Sequence, residues 1–404
     1  MNLIVQKYGG TSVGSVERIQ AIAKRIVEAK IKYDHVVVVV SAMGKTTDAL
    51  VKMAKDIQGT PDPREYDALV STGENVSASL VSMAIQALGH KAISLNGSQA
   101  GVFTENIYSK AKITKVDTTR MVKELEDGKV LIVTGFQGIN DISDITTIGR
   151  GGSDTSAVVL AAALGAQECE IFTDVDGVYT TDPRLVEKAA KLEEISYDEM
   201  LELASLGARV LHPRSVECAK ENNIVLHVRS SFKSDEGTRV KEDCKMEATK
   251  TVTGVTINEA QSQVSIRDVS DTPGVASKLF GELANNNVNV DMIVQSAERD
   301  QVNSITFTIA SDDLSEAKTV TEKVAAELAC KGITFDDDVA KVSIVGVGMI
   351  SRPGVAAKMF NTLGDNGINI NLISTSEIKV SCVIKRDKAR LALELLHTAF
   401  GLDQ

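Results

Sequence analysis

Thr146-Thr-Ile-Gly-Arg-Gly-Gly-Ser-Asp-Thr-Ser-Ala157 sets three glycines, an arginine, an aspartate and a row of hydroxyls between two apolar elements. Upstream, Val130-Leu-Ile-Val-Thr-Gly135 reads as a buried strand; downstream, Ser156-Ala-Val-Val-Leu-Ala-Ala-Ala-Leu-Gly165 reads as an alanine-rich helix stopped by a glycine. A strand feeding a glycine loop feeding a helix is the repeating unit of a doubly wound α/β sheet. At such a helix N-terminus the unpaired N–H groups and the positive end of the dipole favour an anion, and Gly149, Gly151 and Gly152 let backbone approach it closely. Arg150 suits a two-pronged grip on a carboxylate or phosphate. Ser153 or Asp154 equally suits a plain helix cap.

The same pattern recurs on both sides of this loop. Leu3-Ile-Val5 is an apolar strand that runs through Gln6-Lys7-Tyr-Gly-Gly-Thr-Ser-Val-Gly14 into a helix whose apolar positions, Val16, Ile19, Ile22, Ile26 and Val27, fall at helical spacing. Lys7, Gly9 and Gly10 thus stand at the carboxyl end of a strand, where open α/β sheets bind ligands; alone, Lys7 also reads as a solvated strand-end lysine. His35-Val-Val-Val-Val-Val40 is apolar enough to be buried on both faces, as a central parallel strand is. It ends in Ser41-Ala-Met-Gly-Lys-Thr-Thr-Asp48, whose Gly44-Lys45-Thr46 is no P-loop, because position 39 is valine where that motif needs glycine. Asp67-Ala-Leu-Val-Ser-Thr-Gly-Glu74 and Val76 to Leu88 form a glycine-interrupted helical stretch, with Glu74 placed either for a ligand amine or for solvent. Ala92-Ile-Ser-Leu95 is a strand and Thr118 to Leu125 a helix. Cys169-Glu-Ile-Phe-Thr173 is a further strand, ending in the polar segment Asp174-Val-Asp-Gly-Val-Tyr-Thr-Thr-Asp-Pro-Arg184, which lacks the acidic spacing of an EF-hand. The α/β domain closes near Val225-Leu-His-Val228.

The chain has 404 residues, enough for two or three domains, and its 55 acidic against 44 basic residues give a formal charge of −11. That balance argues against nucleic acid or an anionic membrane as partner. No apolar run reaches the roughly 20 residues that span a bilayer, and the first residues read as a strand, so a cytoplasmic location is expected. Five scattered cysteines without a Cys-x-x-Cys pair suit a reducing compartment, and five dispersed histidines form no zinc-type cluster.

From Lys233 to Lys250 the chain turns charged and nearly core-free, which reads as a linker. Beyond it an internal repeat appears at a period of about 80 residues: Thr272-Pro-Gly-Val-Ala-Ser-Lys-Leu-Phe280 against Arg352-Pro-Gly-Val-Ala-Ala-Lys-Met-Phe360, then Asn289-Val-Asp-Met-Ile293 against Asn369-Ile-Asn-Leu-Ile373. Each copy reads as strand, Pro-Gly turn, helix, strand, strand, helix, the split βαβ pattern. The second copy ends without a fourth strand. Thr251-Val-Thr-Gly-Val-Thr-Ile257 is expected to supply it, which would insert the first module, 263–338, within the second, 251–258 plus 341–404.

Lys7-Tyr-Gly-Gly-Thr-Ser, Ser41-Ala-Met-Gly-Lys-Thr-Thr, Ser71-Thr-Gly-Glu74, Gly149-Arg-Gly-Gly-Ser-Asp-Thr-Ser and Thr173 to Arg184 together resemble, in order and spacing, the aspartokinase branch of the amino-acid kinase family. The Pro-Gly repeat is similar to ACT domains, which bind amino acids. The resemblance implies a three-layer αβα kinase domain with a mainly parallel sheet over 1–232, a linker over 233–250 and two ferredoxin-like βαββαβ modules. It implies ATP-dependent phosphorylation of L-aspartate to 4-phospho-L-aspartate, with Mg²⁺, as a first step towards lysine, threonine and methionine.

On that resemblance Lys7 would stabilise the transferring phosphoryl group and Asp154 would orient Lys7. Gly9 and Gly10 would offer backbone donors to ATP, with Ser41 beside them. Arg150 would hold a substrate carboxylate and Glu74 the ammonium, with Lys45, Thr47, Gly151, Gly152 and Ser153 adding contacts. Thr173, Asp174, Tyr179 and Arg184 would hold the nucleotide, as would Arg209, in Gly207-Ala-Arg-Val-Leu-His212, where the family often has lysine. No protein ligand to a metal is assigned. The effectors implied are lysine, threonine or both, carried over onto Asp271, Gly274, Val275, Ala276, Asp291, Met292, Ile293 and Gln295 in the first module and Asn371, Ile373, Thr375 and Ser376 in the second, or else these residues build only a subunit interface. Such modules pair across subunits, so a homodimer or larger assembly is expected, and Met246 is placed to start a separate regulatory subunit. Two other readings stay open here: a kinase for a different acceptor, and a catalytically silent amino-acid sensor.

Overall fold

The computed structural model describes residues 2–207, 210–242, 251–297, 302–328, 330, 332–350 and 352–403. Arg209 and Met246 lie outside them. The chain forms two compact units.

In the first unit, β1 (Leu3–Tyr8), α1 (Val16–Lys32) and β2 (His35–Val40) are followed by α2 (Thr46–Ile57), α3 (Pro63–Val70) and α4 (Thr72–Ala87). Then come β3 (Ala92–Leu95), β4 (Val102–Thr104), β5 (Ile113–Val116), α5 (Thr119–Glu126), β6 (Val130–Thr134), β7 (Gln137–Ile139) and β8 (Ile145–Thr147). The remainder is α6 (Gly152–Leu164), β9 (Glu168–Thr173), β10 (Glu194–Ile195), α7 (Tyr197–Ser205), α8 (Pro213–Asn222), β11 (Val225–Ser230) and β12 (Thr238–Val240). The large sheet runs β10-β12-β11-β9-β1-β2-β6-β3, with β1 central and parallel to both neighbours. Its central strands β1, β2 and β6 are buried on both faces, as the unbroken valine run of β2 required. One face packs Ile4, Val36, Val38, Val40 and Ile132 against Ile19, Ile22 and Ile26 of α1 and Val81 and Ile85 of α4. A second sheet, β5-β4-β7-β8, leads into the glycine loop before α6. Part of the stretch read as linker needs correcting: Thr238–Val240 is β12, antiparallel to β11, with Thr238 and Val240 buried despite the charges around them.

The chain leaves this unit after Val178 and rejoins it at Lys191; Tyr179–Ala190 packs in the second unit. There Thr180 is buried, its hydroxyl 2.9 Å from His397 Nε2 and donating to the Leu402 carbonyl at 3.2 Å.

The second unit holds β13 (Gly254–Ser270), α9 (Val275–Asn285), β14 (Val290–Ala297), β15 (Val302–Ala310), α10 (Leu314–Glu327), β16 (Gly332–Val345), α11 (Val355–Asp365), β17 (Leu372–Thr375), β18 (Lys379–Lys385) and α12 (Ala389–Ala399). They form one sheet in the order β14-β15-β13-β16-β18-β17. β13 and β16 are continuous through both modules. Val264–Arg267 pairs with Phe335–Gly332 in one, Gly254–Asn258 with Val345–Lys341 in the other, across bulges around Gln261. Each half closes its own core, around Leu279, Phe307 and Val324 in the first and Met359, Ile344 and Leu396 in the second.

Candidate active site

Segments far apart in sequence meet at the carboxyl ends of the central strands of the first unit. Lys7, one residue before the end of β1, forms an ion pair with Asp154 Oδ1 at 2.6 Å; their side chains are 10 % and 14 % exposed, so the pair sits in a cleft rather than in open solvent. Asp154 belongs to the first turn of α6, so two favourable influences meet there: the Lys7 ammonium and the positive end of the helix dipole, carried by the N–H groups of the turn. The Gly44 N–H donates to the Gly10 carbonyl at 3.0 Å, joining the loops after β1 and β2. A methyl group on Gly10 would lie 2.9 Å from the Ala42 carbonyl oxygen, so only glycine fits there. One expected donor is already spent: the Gly9 N–H is bonded to the Phe172 carbonyl at 3.2 Å, which ties the loop after β1 to the end of β9.

Glu74 lies in the first turn of α4 and is 4 % exposed. Its Oε1 accepts from the Ser153 hydroxyl at 3.3 Å, while its buried Oε2 has no partner among the described residues. Burial pushes its carboxyl well above the ordinary range, only partly offset by the Ser153 bond and the Lys7 charge. A buried carboxyl with an open oxygen has room for one more donor, neutral or cationic. Arg150 stands exposed at the tip of the glycine loop, between Gly149 (φ 84°) and Gly151 (φ 71°). Lys45 stands at the N-cap position of α2 without a side-chain capping bond, and Thr47 lies in its first turn. Ser41 follows β2, and its carbonyl accepts from Ser77 at 2.7 Å.

Asp67 escaped the reading of the sequence as a site residue. Fully buried on α3, it accepts from the N–H groups of Ser109 and Thr147, both at 2.8 Å, and from their hydroxyls, which holds β8 where it launches the glycine loop. His212 also went unread. It caps α8 through Nδ1, and its ring lies against Gly151. No signal within the loop itself announces either residue, because each acts across a long stretch of chain.

On the β9 side, Thr173 donates to Asp174 at 3.1 Å, and the Ser231 N–H donates to the Thr173 carbonyl at 2.8 Å. Tyr179 and Arg184 are not brought to this cleft within the first unit; they lie on the excursion that packs in the second, where Arg184 pairs with Asp182 at 2.6 Å. Arg209 falls outside the described residues. One group among those described has metal-ligand spacing, Glu168, Glu170 and His227. Its atoms are already committed: His227 Nδ1 to Glu168, His227 Nε2 to the Glu236 carbonyl, and Glu170 to Gln6 and Arg229. This is a structural network.

In the second unit, a cavity of about 470 Å³ is lined by the Pro-Gly turn from Val269 to Ala276 together with Gln295, Asn303 and Ile305. It collects Asp271, Gly274, Val275, Ala276 and Gln295 as read from the sequence, and adds Asn303, which donates to Asp271 at 2.9 Å. Asp291 is instead ion-paired with Lys341. Met292 points into a small core with Val339, Leu372 and Val383, while Ile293 is exposed. In the second module Asn371, Ile373, Thr375 and Ser376 are all exposed, on or beside the edge strand β17.

Residues 2–230 match the amino acid kinase family, and 262–329 and 342–400 each match an ACT domain. The chain is 52 % identical over 402 residues to an aspartokinase of Bacillus sp. (strain MGA3), covering all of this chain and 98 % of that protein. Aspartokinase 2 of Bacillus subtilis is 50 % identical, at 100 % and 99 % coverage. The crystal structure of E. coli aspartokinase III in complex with aspartate and ADP superposes with a TM-score of 0.80 at 25 % identity, covering 98 % of this chain and 99 % of that one. The same enzyme in complex with lysine and aspartate gives 0.79. With a mostly parallel αβα kinase domain, tandem ACT modules and full-length identity near one half, this chain is a kinase that belongs to the aspartokinases.

Proposed function

We propose that this enzyme transfers the terminal phosphoryl group of ATP to the side-chain carboxylate of L-aspartate, giving ADP and 4-phospho-L-aspartate, under feedback control by lysine, threonine or both. The observation that carries the reading is the charge arrangement of the cleft. An ammonium, Lys7, lies at a helix N-terminus where a phosphoryl group needs neutralising. The guanidinium of Arg150 suits the acceptor's α-carboxylate and the buried, open carboxyl of Glu74 suits its α-ammonium. Support comes from E. coli aspartokinase III, seen with aspartate and ADP.

The acceptor carboxylate is ionised at neutral pH, so no general base has to remove a proton. An acceptor oxygen forms the new bond to phosphorus as the bond to the bridging oxygen of ADP breaks, and Lys7 offsets the charge on the equatorial oxygens. Asp154 holds Lys7 in that position. When aspartate binds, its ammonium favours ionised Glu74, and the proton Glu74 carried is released. Mg²⁺ fits as an ion brought by the nucleotide: Asp154 is already paired and Glu74 is held towards neutrality, so the described residues of the cleft offer no closed cage of carboxylates. Bound there, it would neutralise phosphate charge.

The cavity at the first Pro-Gly turn is the proposed effector site, with Asp271, Gln295 and Asn303 for the polar ends of an amino acid. Lysine is the first candidate, since E. coli aspartokinase III binds it; threonine is the second. Exposed Ile293 and Ile373 on the two edge strands, 52 % and 43 % accessible, support pairing of these modules between subunits as a homodimer or larger assembly. No helix among the described residues is long and apolar enough to cross a membrane, and the proposed location is the cytoplasm, at the head of a route to lysine, threonine and methionine.

Trapping the acyl phosphate with hydroxylamine tests the proposal. ATP-dependent hydroxamate is expected with aspartate, little with glutamate, and less when lysine plus threonine are added. Hydroxamate from glutamate alone would assign another acceptor; effector binding with no hydroxamate would make the chain a sensor.

A further inference from the structure

The N-terminal turn of α8 grips the glycine loop at two points. A methyl group on Gly151 would lie 2.2 Å from His212 Cγ and 2.4 Å from its Cβ, so the imidazole packs directly on the Gly151 backbone. Two residues on, the Arg214 guanidinium donates to the Ile148 carbonyl at 2.6 Å, fixing the other end of the loop. His212 Nδ1 accepts from the Arg214 N–H at 3.3 Å, so the ring and the guanidinium are held by one turn of backbone. Between the two grips lies Arg150.

The surroundings of the ring favour its neutral form. Burial and the charge of Arg214 push its pKa down, Asp154 pulls the other way and Arg150 adds to the fall. A neutral ring accepting at Nδ1 carries its proton on Nε2, and it packs without adding a second cation beside Arg150. Arg150 stands exposed on a turn with two left-handed glycines, closed by the Gly152 N–H donating to the Gly149 carbonyl at 2.9 Å, and α8 holds that turn in place from outside at both ends.

We propose that His212 and Arg214 are positioning residues for the acceptor, clamping Ile148 to Gly151 so that Arg150 meets the aspartate α-carboxylate; this rests on the acceptor role proposed for Arg150. Misplacing a binding group by about 1 Å costs up to about a hundredfold in efficiency. The clamp therefore governs the aspartate KM rather than the nucleotide KM.

His212→Asn separates the clamp from the cap, since asparagine caps a helix as well as any residue and lacks the ring. The expected result is a rise of about tenfold in the aspartate KM, with kcat and the ATP KM within about twofold and thermal stability close to that of the parent. Arg214→Gln, which keeps the cap and removes the guanidinium, should shift the same constant, and Arg150→Lys serves as the reference. Unchanged aspartate KM in His212→Asn and Arg214→Gln, with Arg150→Lys impaired, would overturn the clamp and leave the acceptor site standing. If Arg150→Lys is also unimpaired, the loop is not the acceptor site and both readings fall. Loss of stability together with parallel changes in both KM values would make α8 a structural support only, which also overturns the proposal.

Discussion

A methyl group added at Gly151 would meet the His212 ring at 2.2 Å, whereas at Gly274 and Gly354, in the two Pro-Gly turns, it would meet nothing within 4 Å. All three glycines have left-handed backbone, with φ of 71°, 98° and 95°. At Gly151, then, glycine answers two demands, a backbone conformation and a close approach; at Gly274 and Gly354 it answers only the first. The glycine loop, closed by its own bond from the Gly152 N–H to the Gly149 carbonyl, is packed from outside by α8, by the Asp67 network and by Ser153 against Glu74. The Pro-Gly turn is tied at Asp271 by Asn303 but leaves a cavity beside it. On the proposed function one region holds a fixed arrangement of charges and the other is filled by an effector.

The largest effect expected from this contrast belongs to Lys7→Met. It removes the cation from the cleft while leaving the Gly149–Gly152 turn unsubstituted, and kcat should fall by about 10³-fold or more, with the aspartate KM changed little, in a steady-state assay. Next comes the same substitution made in both regions. Gly151→Ala should cut kcat/KM for aspartate by about a hundredfold, because the loop must move off His212. Gly274→Ala should leave kcat within about twofold while weakening inhibition by lysine or threonine. Equal kinetic damage from the two would erase the distinction between a packed loop and an open one.

Glu74 sharpens the comparison through pH. Its folded-state pKa is raised by burial, so between the ordinary glutamate value and that raised value the folded protein binds more protons than the unfolded chain. Stability therefore falls as pH rises through this window, and the full penalty is present above it. Glu74→Gln removes the penalty: melting above the window should rise by a few degrees while aspartate-dependent activity is lost. Aspartate binding to the parent should release a proton, which calorimetry in buffers of different ionisation enthalpy would register. A lower melting temperature in Glu74→Gln would contradict the assignment. The smallest effect expected is from Gly354→Ala, with no neighbour to strike: about 1–2 kcal/mol of backbone strain, seen as a modest fall in melting temperature with kcat unchanged.

Much of this division was legible in the sequence, because its signals are local. The valine run of β2, the Lys7-Tyr-Gly-Gly turn and the Gly149 loop each carry their structure within a few residues, and the Pro-Gly repeat announces itself twice. What escaped was long-range. The ring of His212 rests on a glycine far upstream, and nothing in Leu211-His-Pro-Arg214 records that contact. Thr238-Arg-Val240 looked like linker because its neighbours are charged, yet its pairing with β11 buries it. The stretch Thr173 to Arg184 reads as one continuous nucleotide loop, but from Tyr179 the chain packs in the second unit, where Thr180 and, just beyond the loop, Val186 find their burial. Burial, too, is invisible in Ser71-Thr-Gly-Glu74, although it decides the protonation of Glu74.

Hydrogen–deuterium exchange on the full-length enzyme tests most directly the claim that the packed loop is the acceptor site and the open turn the effector site. With aspartate and a non-hydrolysable ATP analogue, protection should appear in peptides covering Lys7–Gly10 and Gly149–Asp154. With lysine or threonine alone, it should appear first in Val269–Ala276. Direct protection of Gly149–Asp154 by the effector, with Val269–Ala276 exchanging as in the free protein, would contradict the account.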